Sequence, residues 1–78
     1  MSAQITALVM KEFELNGHEF IELNKLLKFM RFAGSGGEAN QLIDNGEVKV
    51  NGEVETRRRN KLRSGDKILF QDNELIIK

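Results

Sequence analysis

Phe13 and Leu15 alternate with Glu12 and Glu14, the two-residue period of a half-buried strand, and Asn16-Gly17 closes it. From Ile21 the period lengthens. Leu23, Leu26, Leu27 and Met30 recur at i, i+3, i+4 and i+7, one stripe of an α-helix, with Glu22, Lys25 and Lys28 off that stripe. Gly34 marks the end of this helix or of the turn behind it. Ser35-Gly36-Gly37-Glu38 then reads as a capping box. The serine hydroxyl accepts from the Glu38 N–H, and the Glu38 carboxylate reaches back to the N–H of Ser35. A short second helix turns Ala39, Leu42 and Ile43 inward until Asn45-Gly46 provides a left-handed stop.

Beyond Gly46 the alternation returns. Val48 and Val50 flank Lys49, Asn51-Gly52 is a preferred two-residue hairpin turn, and Val54 resumes on the return strand. Ser64-Gly65-Asp66 predicts a second turn, Ile68 and Phe70 a further strand, Asp72-Asn73 a third turn, and Leu75 and Ile77 the last strand. Two short helices in a helix-turn-helix-like pair, packed on a small antiparallel sheet, give an α+β fold. Residues 11–78 are expected to form one domain. Residues 1–10 are expected to be an N-terminal extension, frayed or strand-like. Ile5 to Met10 is too short to span a bilayer and no charged region precedes it, so no membrane contact or leader is expected.

Composition narrows the chemistry. The 78 residues include no cysteine and one histidine, His18, so neither a disulfide nor a thiolate or histidine-rich metal site is expected. His18 beside the Asn16-Gly17 turn reads as a solvated turn residue, and no pair of carboxylates is marked as converging in a cleft. The expectation is a non-enzyme without cofactor, metal or small-molecule substrate, in the cytoplasm.

Charge is what changes the picture. The chain is formally neutral, yet Val48 to Ile68 gathers seven of its twelve cations against three carboxylates, a net of +4. Three adjacent arginines suit a polyanion, because each guanidinium can give a phosphate two parallel hydrogen bonds. If Val54 to Leu62 is one extended strand, Val54 and Leu62 face the core while Arg57, Arg59, Lys61 and Arg63 project together to solvent. Arg58 then falls on the inner side, at the sheet edge or against a helix. Gly34-Ser35-Gly36-Gly37 is a second candidate anion site, though a plain capped turn is the simpler reading. The second helix has no Arg or Lys with which to read a DNA groove. There is no Trp or Tyr, and Phe29 and Phe32 read as core or helix-edge residues, so contact through shape and phosphate is expected over base stacking.

From Ile21 to Phe70 the sequence resembles the RNA-binding domain named for small-subunit ribosomal protein S-four, the α-L motif. IELNKLLKFM and SGGEANQLIDNGEVKVNG are similar to its helices and first hairpin, and the later GDKI to its Gly-Asp turn. With so little else attached, the chain looks most like the stand-alone bacterial members of the YbcJ-like type, which ETRRRNK also resembles. The resemblance implies non-catalytic binding of structured RNA, ribosomal or transfer RNA, with ribosome-associated proteins as further expected partners. Carried over by position, it implies contacts from Lys25, Ser35, Lys49, Asn51, Arg57, Arg58, Arg59, Lys61 and Arg63. Relatives commonly hold arginine where this chain has Glu22, Gly36 and Asn40, which shifts the expected burden onto Lys49 and the ETRRRNK cations. The competing reading is a small protein-interaction adaptor whose acidic helical half docks on a partner complex.

Overall fold

The computed structural model describes residues 9–78. Its elements run β1 (Val9–Phe13), β2 (Ile21–Glu22), α1 (Leu23–Phe29), α2 (Gly36–Asp44), β3 (Val48–Val50), β4 (Glu53–Val54), β5 (Lys61–Leu62), β6 (Lys67–Phe70) and β7 (Asn73–Ile77). Five strands form one sheet in the order β1-β7-β6-β3-β4, and β2 pairs with β5 as a separate two-stranded ribbon. The sheet is antiparallel except at one edge, where β1 lies parallel to β7 with Lys11 opposite Leu75 and Phe13 opposite Ile77. β1 takes in Val9 and Met10, the last two positions of the expected extension; residues 1–8 of that extension lie outside the described residues.

Alternation along the sheet decides what is buried. Val48, Ile68, Phe70, Leu75 and Ile77 point to one side and are almost wholly covered. Leu23, Leu26 and Leu27 of α1 and Ala39 and Ile43 of α2 meet them there, and Leu15, Ala33 and Leu62 complete the core. The stripe read from the sequence is therefore the packed face of α1, with Met30 partly buried at its end.

Several local readings shift by a residue or two. β1 ends at Phe13, and Leu15 is buried beyond it, its N–H donating to the carbonyl of Lys78 at 3.2 Å. The Ser35 hydroxyl accepts from the Glu38 N–H at 3.1 Å as expected, but the Glu38 carboxylate accepts from the N–H of Gly34, not of Ser35. The β6–β7 turn is Gln71-Asp72, since Phe70 pairs directly with Asn73; Gln71 takes a positive φ of 55° there.

The larger correction concerns residues 54–62, which are not one strand. The Asn51-Gly52 turn, with φ of 52° and 89°, fixes a register in which Val50 faces Glu53 and Lys49 faces Val54. Cross-strand partners share a side, so Val54 takes the side of exposed Lys49 and is itself 53% exposed. β4 then ends. Residues 55–60 form a loop whose Arg57–Asn60 turn is closed by a 3.1 Å hydrogen bond from the Asn60 N–H to the Arg57 carbonyl. Leu62, buried as expected, belongs to the ribbon with Ile21.

Candidate nucleic-acid interface

The arginine loop is held by a helix that lacks a cap of its own. The residue before α1 is Glu22, whose side chain makes no capping hydrogen bond, so the first N–H groups of the helix need acceptors from elsewhere. The Leu23 N–H donates to the Asn60 carbonyl at 2.9 Å, and the Asn24 N–H to the Arg58 carbonyl at 3.0 Å. The Asn24 amide in turn donates to Asn40 of α2 at 3.2 Å. Backbone satisfaction at the start of α1 thereby fixes where residues 57–63 sit.

Because Arg58 and Arg59 are the central residues of a turn, the three adjacent arginines diverge. Arg57 folds back on Glu55, with Nε and the backbone N–H on one carboxylate oxygen at 2.9 Å and a second guanidinium nitrogen on the other at 3.0 Å. Arg58 reaches the C-terminal end of α2 and grips Asp44 with two hydrogen bonds, one of them at 3.0 Å. Of the two positions expected for Arg58 it takes the one against a helix, but on an exposed face and not on an inner side, because residues 55–60 form a loop and no strand. These hydrogen bonds hold the Glu55 and Asp44 carboxyls below their ordinary values and raise Arg57 and Arg58 above theirs. Arg59 is exposed at the loop tip, without an ion pair among the described residues.

Lys61 and Arg63, two residues apart across buried Leu62, both lie against the ring of Phe20. The Lys61 ammonium is 4.9 Å and the Arg63 guanidinium 5.9 Å from its centroid. Arg57, Arg59, Lys61 and Arg63 line one open depression of about 420 Å³ together with Asn60. The four cations expected to project together are thus assembled, though by a turn and a short ribbon where one continuous strand was expected. Phe20 is the residue that sequence reasoning missed. Its adjacency to Lys61 and Arg63 arises from the β2–β5 pairing, which no local pattern announces.

The remaining expected contacts do not line this depression. Lys25 pairs with Glu22 at 3.4 Å on the exposed side of α1. Ser35 is engaged in capping α2. The register places Lys49 on the side of the sheet opposite the buried core row that includes Val48. Asn51 is committed to structure. Its amide donates to Asp66 at 3.1 Å and accepts from the Lys67 N–H at 3.0 Å, tying the hairpin tip to the Ser64–Asp66 turn. A second, polar depression is shared by the hairpin and the arginine loop, with Asn51, Arg57 and Lys61 in its lining beside the carboxylates of Glu53, Glu55 and Asp66.

With this geometry in place, comparison with known proteins gives a consistent result. The family described as the S4 domain matches residues 13–78. YbcJ of Escherichia coli (strain K12) and YbcJ of Shigella flexneri are each 43% identical over 61 residues, covering 78% of this chain and 87% of the relative. The solution structure of E. coli YbcJ, described as revealing an αL motif involved in RNA-binding, superposes with a TM-score of 0.66 at 34% identity. That match covers 99% of this chain and 95% of the other.

Proposed function

The chain belongs to the S4 domain family, and from that premise we propose that it is a non-catalytic RNA-binding module acting in the cytoplasm on structured ribosomal or transfer RNA, with ribosome-associated proteins as its neighbours. The observation that carries this reading is the convergence of Arg57, Arg59, Lys61 and Arg63 on one exposed depression. The likeness to YbcJ, whose αL motif is described as involved in RNA-binding, supports it further. Arg57 is offset by Glu55 and Arg58 by Asp44, so Arg59, Lys61 and Arg63 carry the uncompensated charge. No helix among the described residues is long and apolar enough to cross a membrane.

Titration of a fluorescently labelled structured RNA at increasing salt tests the proposal. Three neutralised phosphates give a slope of log K against log salt of roughly −2 to −3, and the double change Arg59→Ala with Arg63→Ala lowers its magnitude by about 1.5 to 2. Arg57→Ala, whose charge is already balanced, changes the slope by less than about 1. Salt-independent binding, or no binding at low salt, overturns the reading.

A further inference from the structure

We propose that the apolar cavity beside the cationic cluster receives one unpaired nucleobase of the bound RNA, with guanine preferred, an inference that rests on the RNA-binding reading above. The cavity is a half-open recess of about 420 Å³, toward the small end of the roughly 300–1,000 Å³ typical of ligand sites. Buried Leu15 and partly buried Ile21 supply its aliphatic lining, Phe13 and Phe20 its aromatic rings, and His18, Glu22 and Lys25 its polar groups.

Phe20 joins the two regions. The same ring that lines the cavity lies 4.9 Å from the Lys61 ammonium and 5.9 Å from the Arg63 guanidinium. A phosphate held by either cation leaves its own base, one ribose away, at the mouth of the cavity. An aromatic-lined recess bordered by cations is what a splayed nucleotide needs: stacking for the base and charge for the backbone. A hydrophobic peptide side chain would fill the recess and make no use of the cations.

Glu22 gives the recess its preference. It occupies the position before α1 where a side chain ordinarily caps the helix, yet it caps nothing, because Asn60 and Arg58 carbonyls take the helix N–H groups. Its side chain is 21% exposed, and Lys25 balances its charge at 3.4 Å. An ionised carboxylate only accepts hydrogen bonds. Guanine presents two adjacent donors, N1–H and the N2 amino group, that match both carboxylate oxygens. Adenine, cytosine and uracil lack that pair. The sequence pointed away from stacking because it weighed Phe29 and Phe32; the rings at this recess are Phe13 and Phe20.

The test uses three RNAs: an uninterrupted hairpin duplex, the same duplex with one bulged guanosine, and the same with one bulged adenosine. Affinities come from fluorescence anisotropy, and occupancy of the cavity from methyl NMR of Leu15 and Ile21. The guanosine bulge should bind at least about fivefold more tightly than the uninterrupted duplex, with the adenosine bulge between them. The two methyl groups should shift with the bulged RNAs alone. Glu22→Gln should erase the difference between guanosine and adenosine while both still outbind the duplex. Equal affinity for all three RNAs with silent methyls overturns the cavity assignment and leaves RNA binding standing. Tighter binding of the bulged RNAs with silent methyls overturns it as well, and equal affinity for the two bulges overturns the guanine preference. Failure of every RNA to bind overturns both this inference and the function on which it rests.

Discussion

Arg57, Arg58 and Arg59 are consecutive, yet Glu55 holds the first, Asp44 the second, and the third reaches solvent. A residue list treats them as equivalent cations; their partners make them different. Exposed pairs of this kind contribute little to stability. Their effect is geometric, since they tether the side chains of Arg57 and Arg58 and leave Arg59, Lys61 and Arg63 as the charges available to an anion. Asn51 shows the same divergence between type and role. The family resemblance implied a contact with RNA there; both ends of its amide are used inside the protein, and its backbone sits at φ 52°. Asn51→Ala should cost about 1–2 kcal/mol, the sum of two lost hydrogen bonds and a poorer left-handed residue, measured by urea denaturation. The RNA affinity of the folded variant should remain that of the parent. A variant that keeps its stability but loses RNA affinity would return Asn51 to the interface.

At the scale of elements, the two helices end in the same hydrogen-bonding pattern with different residues at the critical position. After α2, the Gly46 N–H donates to the Ile43 carbonyl and the Glu47 N–H to that of Leu42, with Gly46 at φ 75°. After α1, the Arg31 N–H donates to Lys28 and the Phe32 N–H to Leu27, with Arg31 at φ 64°. This is the Schellman arrangement, which favours glycine. The second stop was legible because Gly46 advertises it. The first was not, because an arginine carries no such signal and Gly34, three residues on, drew the assignment. Replacing Arg31 by glycine should therefore stabilise the protein by about 0.5–1 kcal/mol, and Gly46→Ala should destabilise it by about 1 kcal/mol. Paired thermal and urea melts read both. A destabilising Arg31→Gly would mean that the arginine side chain makes a contribution its backbone cost conceals. The hairpin teaches a related lesson. Asn51-Gly52 already implied that Lys49 and Val54 share a side, so the exposure of Val54 was present in the sequence, but the alternation was counted from the wrong reference.

For the whole molecule, the deciding event is the meeting of chain regions far apart in sequence. β1 joins the sheet through β7, and Leu75 in the middle of β7 is fully buried between β1 and β6. Leu75→Ala should cost about 2–5 kcal/mol. That is a large share of the roughly 5–15 kcal/mol that stabilises an ordinary domain. The variant should show a markedly lower midpoint in urea, with the loss spread over the sheet and not confined to one edge in hydrogen exchange. A change below about 1 kcal/mol would show that the closure by β1 adds little.

Periodicity, turn chemistry and charge patterning by themselves determined the two helices, the hairpin at Asn51-Gly52, the core stripe of α1 and the concentration of cations between Val48 and Ile68. Each of these depends on residues within a few positions of one another, and local sterics and solvation act at that range. The β2–β5 ribbon, the carbonyls of Arg58 and Asn60 that cap α1 and the placing of Phe20 against Lys61 and Arg63 were decided only in three dimensions. They come from backbone groups and rings that find partners across tens of residues, and no short-range pattern in a chain records which partner will be nearest once the core has closed.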